Sequence, residues 1–220
     1  MRSPAEVLYN FHWIVPRRAA RSSQAYAGFL GPFLRAHGIR AMINFRGPNP
    51  AWRWWRNEKN VCARLNVEHH DVMLSSKNLP TRGMLITMLN AFDCAAQPFL
   101  MKCSGGQDRT SFAAALYLLH VGGWEAFSRA TEQLSLWPYL HLPRRNQRWL
   151  KLFLFFARED ARSRPLRQWI EADYSPEKCK AWLDARGCGD SFQAIQLEPG
   201  LANHHGDTKD TEISQVREAQ

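Results

Sequence analysis

The stretch that decides the fold is "MKCSGGQDRTS", residues 101–111, a polar loop between two apolar segments. Before it, residues 98–102 ("PFLMK") are short and almost wholly apolar, as is typical of a central strand in a parallel sheet. After it, residues 111–123 ("SFAAALYLLHVGG") are apolar on all sides, which predicts a buried helix ended by the two glycines. A polar loop between a buried strand and a buried helix lies where parallel α/β sheets form their binding crevice.

The segments around this loop alternate between short apolar runs and longer runs with helical spacing of apolar residues. Residues 39–45 and 66–74 predict two more strands. Helices are predicted at 25–38 with a kink at Pro32, over the first part of 51–65, at 81–96 with a start at Pro80, and over 124–160 and 165–186, with breaks at 136–143 and near Pro165. This alternation predicts an α/β fold with a mainly parallel central sheet flanked by helices.

The composition describes a globular chain with an anionic partner. A length of 220 residues with 45% apolar content is sufficient for one well-packed domain. We expect that domain to span residues 1–196, with a helical extension at 161–196 and a polar, disordered tail at 197–220. The net charge of +9 favours phosphate esters, nucleic acid or an acidic membrane surface, without choosing among them.

The cysteines and the N-terminus indicate the compartment. The five cysteines are odd in number and form no CxxC pair or zinc spacing, which fits a reducing cytosol better than a disulfide framework. Residues 1–20 lack an uninterrupted apolar core, so no signal peptide is expected, and no apolar run approaches the length of a membrane span. We therefore expect a cytoplasmic protein without a transmembrane segment.

The loop combines a cysteine with groups that stabilise negative charge. Gly105 and Gly106 allow successive backbone N–H groups to curl around an oxyanion, and the helix that begins near Arg109 directs its N-terminal amides into the same cup. This setting is expected to lower the pKa of Cys103, so that the sulfur is a thiolate at neutral pH. Arg109 would bind two phosphoryl oxygens, and Thr110 would donate a hydrogen bond to the sulfur. The loop therefore predicts a phosphate site.

A cysteine, five residues, an arginine and a threonine at 103–110 resemble the signature of the cysteine-dependent protein tyrosine and dual-specificity phosphatases. Residues 20–24, 38–47 and 67–76 are similar to strands of the bacterial dual-specificity-like members, so that the resemblance covers about 10–160. It implies a phosphocysteine intermediate, an aspartate that protonates the leaving oxygen, and no metal or organic cofactor. It also implies a phosphorylated protein or phospholipid as the substrate. The residues that it assigns are the nucleophile Cys103, the phosphate-binding Arg109, and a cradle of Ser104, Gly105, Gly106, Gln107 and Thr110.

Three departures from the family pattern leave the general acid open. Lys102 stands where the family usually has a histidine, and Ser111 where it usually has a glycine. The loop at 75–78, where the family usually carries its acid, contains no carboxylate. Asp108 is one replacement, because myotubularin-type and some atypical bacterial lipid phosphatases have a similar Asp-Arg-Thr ending. Asp71, in the predicted strand at 66–74, is the other, and each of the two aspartates could instead be structural.

The most favoured function is a protein tyrosine or dual-specificity phosphatase. A phosphoinositide or lipid phosphatase using the same site is the alternative, and the missing loop acid also allows a phosphate-binding pseudophosphatase. The tryptophans and arginines of 51–59 suggest nucleic-acid binding only weakly, and no stable nucleic-acid partner is expected. Arg46 is a candidate second phosphate contact, and Gln133 resembles a water-positioning glutamine of the family. The "HHD" at 69–71 is not expected to bind metal, because neighbours on a strand point to opposite faces.

Overall fold

The computed structural model describes residues 3–25 and 27–197, and its centre is a five-stranded sheet. The strands are β1 (His12–Val15), β2 (Ala19–Ser22), β3 (Ala41–Asn44), β4 (Glu68–Asp71) and β5 (Phe99–Lys102). They lie in the order β1-β2-β5-β3-β4, with β1 antiparallel to β2 and all other neighbours parallel. The prediction of an α/β fold with a mainly parallel sheet is confirmed.

Helices cover both faces of the sheet. They are α1 (Pro4–Leu8), α2 (Leu30–Ala36), α3 (Arg53–Leu65), α4 (Arg82–Cys94), α5 (Arg109–Gly122), α6 (Phe127–Glu132), α7 (Trp149–Ala161), α8 (Leu166–Ala172) and α9 (Pro176–Asp184). Within residues 3–25 and 27–197, no helix combines the length and apolar character that a membrane crossing needs.

The alternation of side chains along the central strands divides the interior into two cores. Ile43 and Met101 belong to a large core formed with α4, α5, α7, α8 and α9. Met42 and Leu100, their neighbours along the same strands, belong to a smaller core formed with α2 and α3. Both sets are buried because successive side chains of a strand point to opposite faces. The central strands are therefore apolar on both sides, as β5 was predicted to be.

The register of the strands brings their last residues to one edge of the sheet. Lys102 at the end of β5 is paired with Ser22 of β2 on one side and with Asn44 of β3 on the other. Asn44 is paired in turn with Asp71 of β4. The loops that leave four parallel strands therefore start side by side, and the loop at 103–108 starts in the middle of them.

The predicted strand at 66–74 is too long. β4 ends at Asp71 because its partner β3 ends at Asn44, and the Val72 N–H makes the last ladder bond to the Asn44 carbonyl at 2.9 Å. The helix predicted over the first part of 51–65 is longer than expected, because α3 continues to Leu65. It stops where Asn66 adopts the left-handed conformation, with φ +53°.

The helix predicted from Pro80 begins later. The Thr81 hydroxyl accepts a hydrogen bond from the Met84 N–H at 3.3 Å, so Thr81 caps α4 and Pro80 lies outside it. Cys94, the last residue of this helix, is exposed.

The C-terminal half was predicted more coarsely. The break expected within 124–160 is present, since α6 ends at Glu132 and α7 begins at Trp149. The helix predicted at 165–186 consists of α8 and α9, because Ser175 caps a new helix that has a proline in its first turn. Of the tail expected at 197–220, residues 198–220 lie outside the described residues.

Candidate active site

The candidate site is the loop between β5 and α5, and Cys103 is its first residue. The side chain is buried, with 3% of the residue exposed. Burial by itself raises the pKa of the Cys103 thiol. The charge of Arg109, the Thr110 hydroxyl and the backbone N–H groups of Thr110 and Gly106 outweigh that effect, so the pKa lies below its ordinary value. The amides of the loop therefore face the sulfur, as an anion-binding cradle requires.

Two other buried thiols show what burial does without such a loop. Burial raises the pKa of Cys62 and of Cys179 to about 12. Neither an arginine nor a backbone N–H group contributes to the pKa shift of either thiol. The thiolate character of Cys103 is thus a property of the loop and the start of α5, and not of the interior as such.

The shape of the loop depends on Gly106. Its φ is +66°, and a Cβ on this residue would lie 2.5 Å from the Ser23 nitrogen and 2.7 Å from the Ser22 carbonyl carbon. At Gly105, by contrast, a Cβ would meet only the Gln107 side chain at an ordinary 3.7 Å. The sequence suggested that both glycines were needed, and the structure gives a steric reason only for Gly106.

Arg21 of β2 holds this loop from beneath and was not identified from the sequence. Its guanidinium is fully buried and donates from Nη2 to the Gly106 carbonyl and to Ser111 Oγ, both at 2.7 Å. It lies over the Tyr139 ring at 4.4 Å. Burial lowers the pKa of Arg21 to about 10, while Tyr139 and Cys103 oppose the shift. The signal that could have found it is a single charged residue in the short run "AARSS" at 19–23.

Other contacts fix the loop and explain two further side chains. The Gln24 N–H donates to the Ser104 carbonyl at 3.0 Å, and Asn10 Nδ2 lies 3.4 Å from the Gly106 carbonyl. Gln133, which resembled a water-positioning residue, accepts from Arg21 Nη1 at 3.1 Å and donates to the Tyr139 hydroxyl at 3.0 Å. In this structure its amide supports the buried guanidinium.

Arg109 is the first residue of α5 and is half-buried. Its charge is the largest effect that favours the thiolate of Cys103. In the described part of the chain, no carboxylate lies within ion-pair distance of Arg109.

Thr110 is buried, and its hydroxyl has no oxygen or nitrogen partner among the described residues. The hydroxyl and the backbone N–H of Thr110 both lower the pKa of Cys103. Ser104, Gly105 and Gln107 are exposed and form the rim of the cup. Of the predicted cradle residues, Gly106 and Thr110 act on the Cys103 sulfur together with Arg109.

Asp108 lies at the rim, held by side chains from a distant part of the chain. Its Oδ1 is 3.2 Å from His141 Nδ1, and its Oδ2 accepts from Gln147 Nε2 at 3.3 Å. His141 Nδ1 also lies 3.2 Å from the Gln107 carbonyl. Because the Gln107 carbonyl can only accept, the Nδ1 that contacts it carries the proton. The Asp108 side chain is 27% exposed, so water and a substrate can reach it.

Asp71 lies elsewhere. Its carboxylate accepts from Asn44 Nδ2 at 2.7 Å and from Trp55 Nε1 at 3.1 Å, and it is 3.6 Å from His69 Nδ1. Its backbone is two strand spacings from Lys102, which is about 10 Å. Asp108 is part of the loop that follows Cys103, whereas Asp71 is held by Asn44 and Trp55 at the end of β4.

Lys102, in the position of the usual histidine, forms a buried ion pair. Its Nζ donates to Glu58 Oε2 at 2.6 Å and lies 4.8 Å from the centre of the Trp54 ring. Burial lowers the pKa of Lys102 to about 8, although Glu58 opposes the shift. Glu58 was missed from the sequence, but its spacing from Val61 and Cys62 places it on the buried face of α3.

Arg46 follows β3 and lies over the Trp54 ring at 3.6 Å, with a hydrogen bond to the Gln24 side chain. Gln24 is the residue whose N–H binds the Ser104 carbonyl, so Arg46 stands beside the rim, where the sequence suggested a second phosphate contact. Within residues 3–25 and 27–197, no three His, Cys, Asp or Glu side chains come together as metal ligands would.

The first prediction concerns Gly106. Gly106→Ala is expected to lower the free energy of unfolding by about 1–3 kcal/mol. The added Cβ would make the left-handed backbone conformation unfavourable and would clash with the backbone nitrogen of Ser23. Gly105→Ala is the matched control and is expected to change it by less than about 0.5 kcal/mol. Urea denaturation of the two variants measures both values. Equal stability of the two variants would show that the loop does not depend on this backbone conformation.

The second prediction concerns the thiol. The rate of alkylation of Cys103 by iodoacetamide, followed by peptide mass mapping, is expected to rise at a lower pH than an ordinary cysteine requires. Arg109→Met should move this rise to higher pH, because the main charge that favours the thiolate is removed. Arg129→Met, at an exposed position on α6, should leave it in place. Identical pH profiles for the Arg109 and Arg129 variants would contradict this assignment.

Comparison with known proteins gives no match by sequence, since neither a family model nor a curated protein matches the chain. Solved structures do match. P. aeruginosa TpbA is 17% identical, with a TM-score of 0.56 over 78% of this chain and 94% of that chain. A substituted form of TpbA in complex with pTyr is 18% identical, with a TM-score of 0.56 over 78% and 99% of the two chains. PTPMT1 in complex with PI(5)P is 16% identical, with a TM-score of 0.51 over 66% and 95%. The chain therefore has the fold of the cysteine-dependent protein tyrosine and dual-specificity phosphatases.

Proposed function

We propose that the chain is a phosphomonoester hydrolase of the protein tyrosine or dual-specificity type, which acts through a phosphocysteine intermediate. The observation that carries the proposal is the buried Cys103 thiol, whose pKa is lowered by Arg109, Thr110 and the loop amides. A thiolate at the base of such a cup attacks phosphorus, while the N–H donors of the cup bind the equatorial oxygens. The free state of all five cysteines supports a reducing compartment, and we propose the cytoplasm.

The chemistry has two balanced steps. In the first, the Cys103 sulfur forms a bond to phosphorus while the bond from phosphorus to the ester oxygen breaks, and Asp108 gives its proton to that oxygen. In the second, Asp108 takes a proton from a water molecule that attacks phosphorus, and the sulfur–phosphorus bond breaks to release inorganic phosphate. Arg109 stabilises the charge of the phosphoryl oxygens in both steps, and the Thr110 hydroxyl stabilises the departing thiolate.

The choice of Asp108 as the acid rests on position. It immediately precedes Arg109, its carboxylate is partly exposed, and His141 and Gln147 hold both of its oxygens at the rim. Asp71 is bound by Asn44 and Trp55 at the neighbouring strand end. A proton donor must reach the leaving oxygen within hydrogen-bond distance, and Asp108 is the carboxylate that the loop itself carries there.

A lipid phosphatase using the same site is the second candidate. It is favoured by the exposed Leu136, Trp137, Leu140 and Leu142 in the segment that covers the rim. The reaction would be the same, because the cup contacts the phosphoryl group and not the alcohol that leaves. We propose further that residues 1–196 act as a single domain.

The third prediction tests catalysis directly. The full chain is expected to release para-nitrophenol from para-nitrophenyl phosphate, and Cys103→Ser should lower kcat by about a thousandfold or more. Cys62→Ser, at a buried thiol outside the loop, is the control and should retain turnover. Binding of vanadate without turnover by the wild-type chain would identify a pseudophosphatase and overturn the enzyme proposal.

The fourth prediction tests the acid. Asp108→Asn is expected to slow hydrolysis of phenyl phosphate, whose leaving group needs a proton, by about a hundredfold or more. The effect on an aryl phosphate with a strongly acidic phenol should be much smaller, since that phenolate leaves unprotonated. Asp71→Asn should behave like the wild type with both substrates. The assignment is wrong if Asp108→Asn slows both substrates equally or if Asp71→Asn shows the leaving-group dependence instead.

A further inference from the structure

The segment 136–142, which we call the lip, buries polar side chains and exposes apolar ones, whereas most surface segments do the reverse. Its polar side chains Tyr139 and His141 turn inward onto the candidate site, and His141 is only 4% exposed. Its apolar side chains turn outward instead: Leu136 is 58% exposed, Trp137 76%, Leu140 43% and Leu142 76%. A group of large apolar side chains facing water next to buried polar ones marks a surface that contacts something else.

The backbone conformation of the lip keeps its apolar side chains exposed. The Leu140 N–H donates to the Leu136 carbonyl at 2.7 Å, and the His141 N–H donates to the Ser135 carbonyl at 3.1 Å. Leu140 adopts the left-handed conformation, with φ +58°, which is unfavourable for a leucine. Such a conformation persists only where the surroundings enforce it, and it clusters at functional sites. The lip therefore presents its apolar side chains in a fixed turn.

The lip is attached directly to the cup. Asn10 Nδ2 donates to the Tyr139 carbonyl at 3.0 Å, and the Tyr139 ring covers the guanidinium of Arg21. His141 Nδ1 lies 3.2 Å from the Gln107 carbonyl and 3.2 Å from Asp108 Oδ1. Whatever the outer face of the lip contacts is therefore held at the mouth of the phosphate cradle.

Positive charge follows the lip. Arg144, Arg145 and Arg148 are exposed, with Arg145 paired to Asp190, and the whole chain carries +9. Tryptophan and leucine side chains flanked by arginines are the combination that binds the interface of an anionic bilayer. A peptide partner would be received in a groove that accepts its side chains, whereas here the side chains of the protein itself protrude.

We propose that the lip docks the chain on an anionic lipid bilayer, with Trp137 and Leu142 entering the interface and the arginines contacting lipid head groups. Docking in this way turns the mouth of the cup toward phosphomonoesters at the bilayer surface. The membrane contact is independent of catalysis. The consequence for the substrate rests on the proposed phosphatase function.

The experiment measures flotation of the full chain with lipid vesicles. Cys103→Ser is used throughout, so that no lipid is hydrolysed. This protein is expected to float with vesicles of phosphatidylcholine and phosphatidylglycerol, and much less with phosphatidylcholine alone or at high salt. Adding Trp137→Ser and Leu142→Ser should weaken binding about tenfold or more, because two interfacial apolar side chains are lost.

Val121→Ser is the matched control. Val121 is 48% exposed near the end of α5, a helix of 14 residues whose first turn lies at the cup. The distance along the helix from Val121 to the first turn of α5 is about 20 Å. Its substitution should leave flotation unchanged. Absence of binding by the Cys103→Ser chain, or equal binding by the chain that also carries the lip substitutions, would overturn the proposal.

A second measurement distinguishes loss of lipid binding from a folding defect and from binding to a protein partner. With Cys103 restored, the lip variant should turn over para-nitrophenyl phosphate like the wild type, because neither side chain is in the cup. If the lip variant floats normally but loses turnover of phosphopeptides, or if it dissociates a dimer seen by size exclusion, the surface binds protein and the membrane proposal is wrong. Absence of turnover by the wild type would refute the proposed function and leave the flotation result standing.

Discussion

The structure depends on a hydrogen bond from the buried guanidinium of Arg21 to the carbonyl of Gly106. That bond turns the carbonyl away from the cup, and the Gly106 N–H faces the sulfur of Cys103. A hydrogen bond from a charged donor contributes about 1.5–3 kcal/mol, and an unpaired buried guanidinium would be far more costly. The conformation of the loop and the burial of the cation are therefore coupled.

A second constraint is electrostatic. Arg21 on β2 and Lys102 on β5 are both buried, and burial lowers the pKa of the first to about 10 and of the second to about 8. Cys103 favours the charged form of each. An anion beside a buried cation favours its charged form, because it offsets part of the cost of burial. A negative sulfur thus helps to keep both buried side chains charged.

Sequence reasoning was most successful where neighbours in the chain are neighbours in space. The strand at Phe99–Lys102, the loop and α5 form one continuous stretch, and their apolar patterns predicted them. The contacts that fix the loop come from far away: Arg21 lies 85 residues from Gly106, Asn10 lies 96 residues from it, and His141 lies 34 residues from Gln107. No local pattern carries such information. The separation of Asp71 from the end of β5 likewise follows only from the register of β3 with β4 and β5.

Ser111 illustrates how a departure from a family pattern acquires a cause. In the sequence this serine is a departure from the usual glycine, and in the structure its buried hydroxyl accepts a hydrogen bond from Arg21. Restoring glycine at this position would remove an acceptor that the cation cannot replace from solvent. The two positions are thus expected to vary together among descendants of this chain, and a redesign that imports one of them must import the other.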